Sequence, residues 1–325
     1  MPGTYDILSM IVKSVKSNFK IYCIFIPAIA FIFEGCDYGK HRSVTTTGDY
    51  TIAVDESISP VVKKEVDEFM RLNKDARITT HIKTSNEVMA DLINGDVKTV
   101  VVSRDYNQQE KELIEKFKIE IKKNKFALDG VGVIVNPSNP VEKLDYIELR
   151  KIFTAEITDW KDLDRDNKNV YKGRIKVFIA RKNAASHDFF KEKVLAGGDY
   201  AKTDVVCSTS TQMVSEVKNN INAIGFVTMS WITKFADTLD TMIKPLKIAE
   251  VDSSGNMGDY AGLHQAYLAN RSYPLVFEVF ILSRDFDMNL SIGFTSFLLA
   301  YDGQKIVLNS GLVPVTQPVR IIQLN

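Results

Sequence analysis

"YTIAVDESISPVVKKEVDEFMRL", Tyr50 to Leu72, reads as a strand, a polar loop and a helix in direct succession. Thr51 to Val54 makes the strand, and Asp55-Glu56-Ser57-Ile58-Ser59 breaks it. Ser59 before Pro60 is a helix-start signature, with the serine as N-cap and the proline at the first helical position. Val62, Val66, Phe69 and Met70 then recur at helical spacing. The unit repeats downstream. "ARITTHIKT" is a second strand, "NEVMADLINGD" a helix stopped by Gly95, and "KTVVVSRDYNQQEKELIEKF" a third strand with its loop and helix. This β-α-β-α-β rhythm predicts a mostly parallel sheet covered by helices.

Beyond it, "FALDGVGVIVNPSNP" is an apolar strand closed by prolines, followed by a short helix, "YIELRKIF". Ile175 to Ile179 is a strand, and a helix starts just after Asn183-Ala184-Ala185-Ser186. "MVSEVKNNINAIGFVTMSWI" supplies a helix, a turn and a strand, and "HQAYLANRSYPLVFEVFILSR" holds two strand-like runs around Tyr273-Pro274. "GFTSFLLAYDGQKIVLNSGLVPV" closes the chain with a helix, Gly303, a helix or strand, and a stop at Gly311.

Ligands of open α/β sheets sit beyond the C-terminal ends of the strands. Three loops take that position: Asp55 to Ser59, Ser103-Arg104-Asp105, and Asn183 to His187. A helix start leaves amides unpaired and carries roughly half a positive charge, so it can cradle an oxyanion without any net protein charge. An arginine adds two parallel donors. Each loop also has a purely structural use: Ser59 and Asn183 as caps, Ser57 in its own turn, Arg104 paired with a surface carboxylate, and His187 half-exposed on its helix. Trp160 and Trp231 read as core.

The totals narrow the function classes. The chain has 325 residues, with 41 Lys plus Arg against 41 Asp plus Glu, so no overall basic field invites nucleic acid. Cys23, Cys36 and Cys207 are too scattered for a disulfide framework. His41, His81, His187 and His264 form no i, i+4 pair for a zinc site. A G-x-S-x-G elbow is absent, and the neighbours Asp55 and Glu56, like His187 and Asp188, point to different faces. No catalytic residue, metal or cofactor is therefore assigned.

The first forty residues are of another kind. Lys13, Lys16 and Lys20 precede the uncharged run Ile21 to Phe33, which is too short for a bilayer core of ~30 Å. A basic flank and a short apolar core make a secretion signal. Gly35-Cys36 at its end predicts lipidation of Cys36; the alternatives are an ordinary signal peptide or an uncleaved anchor. Residues 1–48 are set aside as signal, anchor and linker, and the mature chain works outside the cytoplasm.

From about Tyr50 onward the chain resembles the periplasmic phosphate-binding proteins that serve phosphate ABC transporters. "FALDGVGVIVNPSNPVEKL", "LRKIFTAEITDWKDL", "NAIGF", "YPLVFEVFIL" and "GFTSFLLAYDGQKIVLNSGLVP" carry the likeness in order. The resemblance implies a two-lobed periplasmic-binding-protein-like (type II) α/β fold, each lobe a mixed, mostly parallel sheet flanked by helices, with a hinge. Lobe one is then 50–131 plus 265–325, and lobe two 132–264. Carried over by position, the anion-binding residues are Ser57, Ser103, Arg104, Asn183, Ala185, Ser186 and His187. A Gly-Ser-Gly-Thr-Arg loop of the family falls on Asn183 to His187, so Ala184 lacks a hydroxyl and His187 replaces an arginine's fork. Lys98 aligns near the family's carboxylate that accepts a proton of hydrogen phosphate, which implies that this acceptor is missing.

The expected function is thus a membrane-anchored solute-binding lipoprotein of the periplasm or cell surface. It would bind phosphate or a similar oxyanion and deliver it to an ABC permease in the inner membrane, with no role for nucleic acid. The alternative is a non-transport surface lipoprotein that uses the fold to sense a ligand or dock a protein. An enzyme such as a phosphatase finds no nucleophile–base pair.

Overall fold

The computed structural model describes residues 44–163, 171–201, 205–234, 242–252 and 254–316. The expectations for the leader and for Cys36 lie outside them. One curled sheet organises the chain. Strands β1 (Gly48–Asp55), β2 (Ala76–Lys83) and β3 (Thr99–Val102) run parallel in the order β2-β1-β3, and β11 (Val276–Ser283) lies antiparallel to β3. In the other half, β6 (Lys176–Ala180) lies parallel between β8 (Ala223–Thr228) and β7 (Val205–Cys207). The long strand β4 (Lys122–Val135) joins the halves, pairing antiparallel with β11 through Gly130 and with β8 from Val131 onward. The sheet is therefore mixed: three parallel strands on each side, and antiparallel pairs at the junction.

Burial explains the strand sequences. Every residue of β3 (TVVV) and of β8 (AIGFVT) is buried, as expected for strands covered on both faces. Helix α1 (Ser59–Leu72) buries Val61, Val62, Val66 and Phe69. The Phe69 ring meets Phe294 at 5.3 Å and Phe297 at 5.4 Å on α9 (Leu290–Leu299). Edge-on aromatic pairs of this kind add about 0.5–1.5 kcal/mol each beyond their area. Across the sheet, α5 (Ala185–Lys193) is anchored by Phe190, which stacks on Phe226 of β8 at 4.4 Å and touches Phe153 of α4 (Tyr146–Phe153) at 4.7 Å. Trp160 and Trp231 are buried, as expected.

Two local expectations are corrected. Ser59 is not the cap of α1: a 3-10 turn, Glu56–Ile58, precedes it, and Asp55 caps that turn by accepting from the Ser57 amide. Ser59 instead donates its hydroxyl to the Glu56 carbonyl at 2.9 Å. The run around His264 is not a strand but a short helix, α8 (Gln265–Ala269), because His264 Nδ1 accepts from the Ala266 amide and starts a turn. Only the part after Pro274 forms a strand, β11.

Candidate functional site

Five chain segments follow the ends of β1, β2, β3, β6 and β7. They are the 3-10 turn after β1, the start of α2 (Ser85–Asn94) after β2, the Ser103-Arg104 loop after β3, and the starts of α5 and α6 (Ser210–Asn219) after β6 and β7. Local sequence sets each helix start. A capping box holds α2, with Glu87 accepting from the Thr84 amide (2.8 Å) and hydroxyl (2.6 Å). Thr209 caps α6 by accepting from the Gln212 amide. Helix α5 has Ala184 at its cap and no side-chain acceptor for its first amides, so it keeps the anion-binding character of a bare helix start.

The structure sets Ser57 and Ser103 on Asp55, and Arg104 and Asn183 on Asn86, while Ser103, Arg104 and Ala185 line one space, Ser186 lines another, and Ser57, Asn183 and His187 line neither. Asp55, 1% exposed, accepts from the Ser57 amide and the Ser103 amide, both at 3.1 Å. Glu56 accepts from the Ser210 amide and hydroxyl, both at 2.9 Å, at the first residue of α6. The Ser57 carbonyl accepts from Thr228 (2.7 Å) and Ser230 (2.5 Å), and the Glu56 carbonyl from Trp231 Nε1 (2.9 Å). Arg104 lies fork to fork with Glu110 at 2.6 and 2.8 Å and also donates to Asn86 Oδ1. Asn183 has a left-handed backbone (φ 71°), and its carbonyl accepts from Ser85 Oγ at 3.0 Å while its side chain accepts from Asn86 Nδ2. His187 is buried; its Nδ1 bonds Asp188 at 2.8 Å and its ring leans on Tyr200 at 4.8 Å. Ala185 and Ser186 are buried at the helix start. Ser103 Oγ is buried beside Asp55 and helps to pull that carboxyl's titration down.

One expectation is overturned by position. Lys98 stands before β3, at the far end from Ser103, where its carbonyl accepts from the Arg284 amide. It does not reach the strand ends where Ser57 and Ser103 sit; the buried carboxylate there is Asp55. Sequence reading missed Asp55 and Glu56 as cleft groups, and Ser210 altogether. The available signal was a pair of acids placed directly at the end of a buried strand.

Burial pushes both acids upward. Loss of water raises Asp55, while the amides of Ser57 and Ser103 pull it back. Glu56 is raised by the same cause against its two bonds to Ser210, with Asp55 adding repulsion and Arg181 partly offsetting it. Between Asp55, Glu56, Thr84, Arg181, Ser186 and Ser210 a cavity of about 20 Å³ remains. That is room for about one water molecule. A larger space of about 600 Å³ opens beside Arg104, Tyr106, Phe189, Phe277 and Phe280. Among the described residues no cluster of three His, Cys, Asp or Glu could hold a metal ion.

A family model described as the PBP superfamily domain matches residues 40–301. The chain belongs to the PBP superfamily. Among relatives of this PBP chain is the phosphate-binding protein PstS of Staphylococcus epidermidis, 25% identical over 252 residues, spanning 76% of this chain and 73% of that one. PstS of Bacillus subtilis is 24% identical over 93% of this chain and 96% of its own length. Solved structures share the two-lobed fold. A phosphate ABC transporter substrate-binding protein, so described provisionally, from Clostridium perfringens with bound phosphate superposes with a TM-score of 0.68 at 23% identity, covering 83% of this chain and all of that one. An ABC-type phosphate transport receptor from Vibrio cholerae gives 0.62 at 19% identity over 82% of this chain and all of its own.

Proposed function

We propose that this PBP-superfamily chain is an extracytoplasmic solute-binding protein that takes inorganic phosphate, or a related oxyanion, between two lobes and delivers it to an ABC permease. The observation that carries the reading is that the start of α5 and the Ser103-Arg104 loop line one space, in a chain whose relatives are named for binding phosphate. Lobe one would be 50–131 plus 265–325 and lobe two 132–264, with β4 as the crossing strand. Ser57, Ser103, Arg104, Asn183, Ala185, Ser186 and His187 would line the anion site, with Cys36 as the lipid attachment point. Closure of the lobes by hinge rotation is the working step, and no covalent chemistry is assigned.

In this reading the bare start of α5 supplies the amides and Ser103 Oγ a hydroxyl. Arg104 would turn from Glu110 to the ligand, and Asp55 would accept the proton that hydrogen phosphate carries. A charge-assisted hydrogen bond is worth about 1.5–3 kcal/mol, so a few such bonds, less the costs of association, support an affinity around the micromolar range. Isothermal titration of the lipid-free protein with phosphate should give heat. A thermal scan should show a rise in Tm that grows with phosphate concentration. No heat and no shift at millimolar phosphate would defeat the proposal. The second reading, a non-transport protein that senses a ligand or docks a partner, is favoured by the two native carboxylates that already hold cleft donors.

A further inference from the structure

The cleft contains an anion of its own. Glu56 reaches from the turn after β1 to the first residue of α6, on the other half of the sheet. There its two oxygens take one amide and one hydroxyl of Ser210, each at 2.9 Å. A carboxylate held this way at a helix start uses the same donors and the same helix dipole that a free oxyanion would use. It is also tethered, so it competes at a high effective concentration, in the millimolar range for a short link. Other bonds made by the chain's own groups reinforce the contact. Trp231 donates to the Glu56 carbonyl, Thr228 and Ser230 donate to the Ser57 carbonyl, and Ser85 donates to the Asn183 carbonyl. With Glu56 in place, the space beside it holds about one water molecule, too little for a tetrahedral oxyanion.

We infer that Glu56 is a built-in competitor for the bound anion. It latches the two halves together through Ser210, and an incoming oxyanion binds only by displacing it. Glu56 thereby sets the specificity of the cleft. An incoming oxyanion must displace the Glu56 carboxylate from Ser210, so the chain binds it more weakly than the bare helix starts alone would allow. Glu56 must swing out for the cleft to fill. This inference rests on the oxyanion-binding reading for its affinity arm and stands apart from it for its closure arm.

The test compares the natural chain with Glu56→Ala and with Ser210→Ala, which removes only one of the two donors. Far-UV circular dichroism and thermal scans first establish that each variant is folded. Small-angle scattering without phosphate should show a compact natural chain. It should show a larger radius of gyration for Glu56→Ala and an intermediate one for Ser210→Ala. Titration with inorganic phosphate should be at least tenfold tighter for Glu56→Ala. Opening of Glu56→Ala while neither protein binds phosphate supports the latch and removes phosphate as the ligand. Unchanged compactness in both variants, with phosphate bound equally by all three, overturns the inference and leaves the phosphate reading standing.

Discussion

Glu65 puts a carboxyl at the core face of α1, fully buried, and neither of its oxygens finds a partner. Burial, with repulsion from Glu68 added, pushes it up to about 9, whereas the same group titrates at 4.5 in its ordinary setting. The folded chain therefore keeps a proton that the unfolded chain loses between those two values. Stability contributed by the neutral form is complete below pH 4.5 and falls as pH rises toward 9, at up to about 1.4 kcal/mol per pH unit. Glu65→Met removes both orphaned oxygens at similar volume. It should raise Tm, and raise it more at pH 8 than at pH 5; an equal gain at both would show that Glu65 does not titrate this way. Asp129 shares the pattern on β4, pushed up to about 7 by complete burial against bonds from Gly130, Met229 and Ser230. At this scale the sequence was legible for residue type but not for partner. Arg104 read as either a ligand fork or the partner of a carboxylate, and only the structure shows that Glu110, six residues on, occupies it.

Among the elements, the two closing helices depend on one close approach. α9 ends at Leu299 and α10 (Tyr301–Asn309) begins two residues later, with Gly303 in its first turn. A Cβ at Gly303 would lie 2.4 Å from the Phe297 carbonyl oxygen and 2.8 Å from the Leu298 Cα, both main-chain atoms that cannot rotate away. Gly303→Ala should therefore destabilise the chain by about 1–3 kcal/mol, the usual cost of overpacking. Chemical unfolding checks this, and an unchanged midpoint would refute it. Gly132 differs, since its added Cβ would meet only the tips of Ile232 and Leu263, which can move. Gly303 reads in the sequence as the break between a helix and a following helix or strand; the second element is a helix, and the boundary is Ala300. The strand–loop–helix units of the first half were legible because apolar runs and caps agree. The helix at His264 was not, because a five-residue segment offers too few turns for helical spacing to register.

For the whole molecule, the proposed anchor at Cys36 lies outside the described residues. No helix among the described residues is long and apolar enough to cross a bilayer. If Cys36 carries the anchor, Cys36→Ala should move the protein from the membrane to the soluble fraction. Retention in the membrane would favour an uncleaved anchor through Ile21 to Phe33. The sequence alone determined the α/β class, the family resemblance, and the strand–loop–helix units. These follow from local rules: apolar spacing, caps and strand ends are written in consecutive residues. The structure alone decided what those loops hold, because Asp55 meets Ser103 across 48 positions, Glu56 meets Ser210 across 154, and Ser85 meets Asn183 across 98. Charge and hydrogen-bond geometry act through space over a few ångströms, and only strand pairing, β1 with β3 inside one half and β4 between the halves, brings such distant residues within that reach.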